Sequence, residues 1–205
     1  MATLAPRVFL LSPAHLGGER ARILLREEAS FDLANRVREV GAPVGEIFAF
    51  LSGLYFRGKL HYATAFAAPP RSDVAPAYVI TSNRGLCTVD ARFTKRELED
   101  FGTVDIDARN EAYRKPLERD ARKLAKKIGD AEVVLLGSVA STKYIEVLEE
   151  IFAERLVFPI DFVGRGDMSR GSLMLRAARS GVELPYVSVC DVLGAKLLAC
   201  RARSS

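Results

Sequence analysis

Val133-Val134-Leu135-Leu136-Gly137-Ser138 is the stretch on which the fold turns. Four apolar residues, two of them β-branched, run without alternation into a glycine and a serine. A strand with one wet face alternates; a strand buried on both faces does not. Four other runs share the pattern: Val8–Ser12, Tyr78–Ser82, Leu156–Ile160 and Tyr186–Val189. Together they predict an α/β fold. Its centre is a mostly parallel or mixed sheet of about five strands, flanked by helices in a single domain over residues 1–205.

The segments between these runs carry helical patterns. Pro116–Ile128 is the clearest, with Leu117, Ala121, Leu124, Ala125 and Ile128 on one stripe. Pro116 suits a first helical turn and Gly129 a stop. Arg119, Arg122, Lys123, Lys126 and Lys127 fall largely off the stripe, as an ordinary solvated face would or as a phosphate-facing surface would. Thr142–Phe152 reads as a second helix and Ser172–Ser180, closed by Gly181, as a third. Val44–Ala67 is mostly helical with interruptions near Gly53 and Gly58. Pro69–Pro76 reads as a loop, and Phe93–Tyr113 is polar and poorly periodic.

Composition excludes several classes. The chain has 205 residues, 49% hydrophobic and 27% charged, which permits a sizeable core. A net charge of +4 permits a polyanionic partner without demanding one. Cys87, Cys190 and Cys200 have neither disulfide-framework nor metal spacing, and His15 and His61 are the only histidines. We therefore expect no zinc site, no structural disulfide and no cofactor. No run approaches the roughly 20 apolar residues of a membrane span. With no signal-peptide pattern, the expected compartment is the cytoplasm, with no membrane partner.

Four of these strands run into polar loops. Ser12 leads to His15, Gly17, Gly18 and Arg20; Ser82 leads to Arg84 and Gly85. Ser138 leads to Lys143 and Tyr144. Gly164-Arg165-Gly166-Asp167-Met168-Ser169-Arg170-Gly171 follows the fourth strand. Ligands of open α/β sheets bind outside the carboxyl ends of the strands, so these loops predict one shared cleft. Glycines let backbone N–H groups approach an anion, and Arg165 and Arg170 offer planar forks for phosphate. The glycine spacing is neither a Walker loop nor a dinucleotide fingerprint. Asp167 and Asp90 are candidate carboxylates for water activation or substrate orientation, and capping or ion pairing accounts for them equally well. His15 reads as a structural hydrogen-bonder or a general acid–base. Tyr55, Arg57 and Lys59 form a polar-aromatic cluster suited to stacking on a base, or to plain packing.

Taken in order, these islands resemble the YaaA peroxide-stress family and its shorter bacterial relatives. Leu10-Leu11-Ser12-Pro13-Ala14 resembles that family's opening strand and turn. Tyr78–Leu86 with Asp90 downstream, and Val133–Ser138 leading to Lys143-Tyr144, resemble its second and third strand-and-turn units. Arg165-Gly166-Asp167-Met168-Ser169-Arg170 resembles its Arg-Gly-x-Met-Ser-Arg. Leu54-Tyr55-Phe56-Arg57 is similar to the start of a helix in the shorter relatives. Arg84 stands where a tyrosine is usual. The chain is shorter than YaaA proteins, which leaves their helix-hairpin-helix-like DNA-binding part without an evident counterpart. The resemblance implies a YaaA-like α/β fold, a role in DNA protection under peroxide stress, and a distant kinship with uracil-DNA glycosylase-like folds. Fold kinship of this kind does not establish a reaction.

Three functions follow as expectations. The first is a nucleic-acid- or nucleotide-binding protein, with Ser12, Arg20, Tyr55, Arg57, Ser82, Arg84, Lys143, Tyr144, Arg165, Ser169 and Arg170 as ligand-binding residues. The second is an enzyme acting on a nucleobase or nucleoside, an N-glycosidase or base transferase, using Asp167 or Asp90 with Ser138. The third is a structural or partner-binding protein. The oligomeric state is not encoded in any pattern we recognise.

Overall fold

The computed structural model describes residues 5–138 and 142–192. Residues 139–141 of the third loop, and Cys200, lie outside the described residues. In chain order the strands are β1 (Arg7–Leu11), β2 (Ala42–Pro43), β3 (Ala77–Ile80), β4 (Leu86–Thr88), β5 (Arg92–Phe93), β6 (Glu132–Leu136), β7 (Leu156–Pro159) and β8 (Tyr186–Ser188). The helices are α1 (Glu19–Leu25), α2 (Asp32–Glu39), α3 (Val44–Ser52), α4 (Leu54–Phe66), α5 (Lys95–Gly102), α6 (Glu111–Ile128), α7 (Thr142–Phe152) and α8 (Asp167–Ser180). Among the described residues, no helix is long and apolar enough to cross a membrane.

Six strands form one mixed sheet in the order β4-β3-β1-β6-β7-β8. The central four are parallel, and each edge strand runs antiparallel to its neighbour. All five apolar runs are strands of this sheet. The sixth, β4, has only three residues and shows no periodicity to read. Strands β2 and β5 pair separately as a short antiparallel ribbon.

The absence of alternation in the strands has a plain cause: both faces are covered. Phe9, Leu11, Val79, Val134 and Leu136 pack under α1–α5 and α8. Val8, Leu10, Ile80, Val133 and Leu135 pack under α6 and α7. Each fully buried apolar side chain contributes about 1.5–3 kcal/mol. From β1 the chain crosses to β3 on one side, whereas from β6 it crosses to β7 on the other. The loops leaving β1 and β6 therefore diverge. The gap between them is the topological switch point of the sheet.

Several helix boundaries differ from the sequence reading. Helix α6 begins at Glu111, capped by the Asn110 side chain, so Pro116 sits inside it and not in the first turn. There Pro116 offers no N–H to the Ala112 carbonyl. Helix α5 lies within the segment read as aperiodic; its signal is the capping box of Thr94 and Glu97. Helix α8 starts at Asp167, ahead of the expected Ser172, so Ser169 and Arg170 stand on its first turns and not in a loop.

Gly53 breaks the apolar segment as expected, with φ of 57°, but α4 runs straight through Gly58. The reason for that glycine is its neighbour. A Cβ on Gly58 would lie 2.8 Å from the Gly171 carbonyl oxygen, and one on Gly171 would lie 2.8 Å from that of Leu54. Helices α4 and α8 thus cross backbone to backbone, and a side chain at either point has nowhere to go. Gly58→Leu and Gly171→Leu should each destabilise the fold by about 1–3 kcal/mol or more, read from urea midpoints. Gly102→Ala, whose added methyl meets open space, is the control and should shift stability by less than about 0.5 kcal/mol. A Gly58→Leu midpoint equal to that of the parent would refute the tight crossing.

Candidate functional site

At the switch point lies a cleft of about 420 Å³. Ser12 to His15 form one wall, Ser138 and Tyr144 another, and Tyr55 and Asp167 close it from the α4–α8 side. Three of the four polar loops thus meet as expected. The fourth, at Ser82, reaches an adjoining cavity of about 300 Å³ beyond the His15 loop; Pro13, Ala14 and His15 line both. Gly137 permits the close approach of β1 and α7. A Cβ there would lie 2.9 Å from both Ser12 Cβ and Tyr144 Oη.

Beneath Ser12 sits a lysine. Lys59 is 1% exposed, and its Nζ lies 2.7 Å from Ser12 Oγ and 2.9 Å from the Ser12 carbonyl oxygen. The Tyr55 ring covers it, with its centroid 4.0 Å away. Among the described residues, no carboxylate forms an ion pair with it; Asp167 acts only at a distance. Burying an unpaired ammonium costs several kcal/mol, more than that remote attraction returns. Burial therefore pulls the Lys59 pKa down to about 7; Asp167 opposes the fall and Arg170 adds to it. Near neutral pH a large share of Lys59 is the free amine, which can accept the Ser12 hydroxyl proton.

Sequence reasoning grouped Lys59 with Tyr55 and Arg57 on a polar-aromatic surface. The helix separates them. Tyr55, Lys59, Tyr62, Ala63 and Phe66 share the buried face of α4, while Arg57 points out. A lysine in step with an apolar i, i+4, i+7 stripe is the signal that could have singled it out.

The other cleft groups are held in definite ways. Tyr55 Oη is buried, and burial pushes its phenol well above the ordinary range while the neighbouring Arg170 guanidinium opposes the shift. Tyr144 Oη accepts the Ser138 N–H at 3.0 Å and donates to the Ser138 carbonyl at 3.1 Å. The Asp167 side chain is 68% exposed, 3.4 Å from Arg170 Nη1. Arg170 also donates from Nε to the Phe162 carbonyl, and its side chain is 11% exposed. It braces α8 against the preceding turn, whereas Arg165 is exposed, with a long contact to Ser169 Oγ at 3.4 Å.

The remaining candidates lie elsewhere. Asp90 follows β4, which runs antiparallel to β3, so it is exposed at the opposite end of the sheet and does not join the cleft. Ser82 Oγ donates to the Phe101 carbonyl and pins α5 to the sheet. Arg84 turns toward Glu97, 3.9 Å away. Arg20 and Arg57 line a separate open groove with Phe31 and Phe50. Lys143 borders the adjoining cavity. His15 is exposed in the shared wall, and its ring lies over Gly17. Cys87 is partly buried, which raises its thiol pKa and disfavours a reactive thiolate.

The displaced lysine pKa makes a stability prediction. The unfolded chain holds the Lys59 proton up to about pH 10.5, whereas the folded chain releases it near pH 7. Between those values the unfolded state binds more protons, so this group makes stability rise with pH. It contributes up to about 1.4 kcal/mol per pH unit, and nothing further below about pH 7. Urea unfolding between pH 7 and 9.5 should show a steeper rise for the parent than for Lys59→Met. Equal slopes would mean that Lys59 keeps its proton.

No protein-family model, no curated protein and no solved structure matches this chain.

Proposed function

We propose that the chain binds a nucleotide, free or turned out of a nucleic-acid strand, in the Ser12–Asp167 cleft. The observation that carries this reading is the meeting of the Ser12, Ser138 and Asp167 loops at the sheet's switch point. Open α/β sheets take their ligands there. The volume is in the range of small-molecule sites. Three serines, Ser12, Ser52 and Ser138, line it together with the edges of the nearly buried Tyr55 and Tyr144.

Charge supports a single nucleotide over a long duplex. The basic face of α6 carries much of its own neutralisation: Arg122 pairs with Glu118, Arg119 with Asp120, Lys115 with Glu111, and Arg114 with Glu150. Duplex affinity comes chiefly from cations available to phosphates. Exposed Arg165 beside the α8 N-terminus is the cation we assign to a ligand phosphate. Such binding would serve DNA protection under peroxide stress, the role that the resemblance to the YaaA family implies.

One feature favours the nucleobase-enzyme reading: an exposed carboxylate, Asp167, shares the cleft with Ser12 and Ser138. An N-glycosidase needs a carboxylate near the anomeric carbon and donors for the departing base. Asp90 has no part in this version.

Calorimetric titration with the four ribonucleoside monophosphates, and with single- and double-stranded oligonucleotides at two salt concentrations, tests the proposal. Mononucleotides or single strands should bind more tightly than duplex. Arg165→Ala should weaken binding about tenfold or more at unchanged thermal stability. Arg170→Ala should instead lower the melting temperature. Failure of every nucleotide and oligonucleotide to bind folded protein would overturn the reading. Free base appearing by chromatography, abolished in Asp167→Asn, would decide for the enzyme.

A further inference from the structure

We propose that Ser12 and Lys59 form a nucleophile–base pair, and that the cleft performs acyl transfer on an ester or thioester. The pairing is geometric: Lys59 Nζ is 2.7 Å from Ser12 Oγ, within hydrogen-bond reach, and Ser12 lines the cleft while Lys59 is sealed below it. An amine placed so can take a proton from the serine but cannot itself reach a substrate. Ser12 is thus the catalytic residue, and Lys59 acts through it.

The lysine's surroundings agree with a base and disagree with a structural cation. The other buried cation among the described residues, Arg7, is 7% exposed and is met by Glu183 at 2.5 Å and Glu132 at 3.5 Å. Lys59 has no such partner among the described residues; its contacts are two oxygens of Ser12 and the Tyr55 and Phe56 rings. The Ser12 carbonyl oxygen can only accept, so it holds one N–H of the amine at 2.9 Å and aims the nitrogen at Oγ. A lysine amine freed by burial and set against a hydroxyl is a general way to activate serine.

The step balances without an added oxidant or reductant. The Ser12 Oγ–H proton passes to Lys59 Nζ as Oγ bonds to the carbonyl carbon. The carbon–oxygen or carbon–sulfur bond to the leaving group breaks, and the leaving group departs with the proton from Lys59. Water then repeats the sequence at the acyl carbon, releasing the acid and restoring Ser12. Phosphoryl transfer fits less well. Asp167 places a negative charge in the cleft, and Arg170 is braced on Phe162 and Asp167. The inference does not depend on nucleotide binding, and its test uses no nucleotide.

The experiment treats folded protein with a fluorophosphonate probe and, separately, with p-nitrophenyl acetate, from pH 5 to 9. The expected result is one adduct per chain by intact mass, mapped to Ser12 and absent in Ser12→Ala. Its rate should rise through a pKa near 7. The charged and titratable groups facing Lys59 are Asp167 and Arg170 from α8 and Tyr55 from its own helix, with His15 on the cleft wall. A profile that loses its rise in His15→Gln overturns the assignment of the base to Lys59. Lys59→Met should slow labelling at least tenfold and flatten the profile, and Lys59→Arg should not restore it, because a guanidinium keeps its proton. If Lys59→Met fails to fold, the parent's pH profile and its adduct site decide. No adduct on Ser12 at any pH overturns the proposal. So does labelling elsewhere, or equal labelling of a folded Lys59→Met.

Discussion

The contact between α4 and α8 sets the geometry of the cleft. Gly58 and Gly171 let the two backbones touch, and every functional group on these helices is placed relative to that point. On α4, Tyr55 stands one turn before Gly58 and Lys59 directly after it; on α8, Asp167 stands one turn before Gly171 and Arg170 directly before it. Were the helices held apart by side chains, Asp167 would leave the wall that Tyr55 closes. The field of Arg170 and Asp167 at Lys59 would weaken with distance as well. Both helices cover the same face of the sheet, so their crossing also fixes how far the α8 N-terminus overhangs the ends of β1 and β6.

The two ends of the sheet treat a buried cation in opposite ways. At the start of β1, Arg7 is enclosed by Glu183 and Glu132, with the Tyr186 ring below it. Its nearby carboxylates outweigh burial, and its pKa is raised. At the end of the same strand, Lys59 meets only neutral oxygens and rings, burial wins, and its pKa falls. A lysine can answer desolvation by losing its proton, whereas an arginine cannot. The choice of residue at each end matches its surroundings: a permanent charge where carboxylates are supplied, a removable one where they are not.

What was legible in the sequence follows from where the information is local. The four central strands announce themselves because burial on both faces suppresses alternation, and the positions of Ser12, Ser138 and Asp167 follow from strand ends. Helix α7 carries its stripe openly. Strands β2, β4 and β5 are too short for a period, and α5 is marked only by Thr94 and Glu97. Gly58 reads locally as a helix breaker; its meaning lies in Gly171, far away in the chain. Asp90 fails as a site residue for a similar reason. Its distance along the chain from Ser82 says nothing until the antiparallel β4 carries it to the other end of the sheet. Lys59 hides because a lysine is read as surface unless the stripe it interrupts is followed through the whole helix.

The cleft's electrostatic character then narrows what can occupy it. Beneath its floor lies an amine that burial leaves about half neutral near pH 7, its wall holds one exposed carboxylate, and Arg165 is the exposed cation nearest in sequence to Asp167. A ligand with charge spread along its whole length would meet Asp167 wherever it lay. A ligand with one anionic group and an otherwise polar, neutral body can place the anion at the rim and the body inside. A nucleoside monophosphate has that form, and so does an acyl compound carried on a phosphorylated handle. Both readings of the site therefore ask for the same kind of molecule. They differ only in whether Ser12 merely donates a hydrogen bond to it or attacks it.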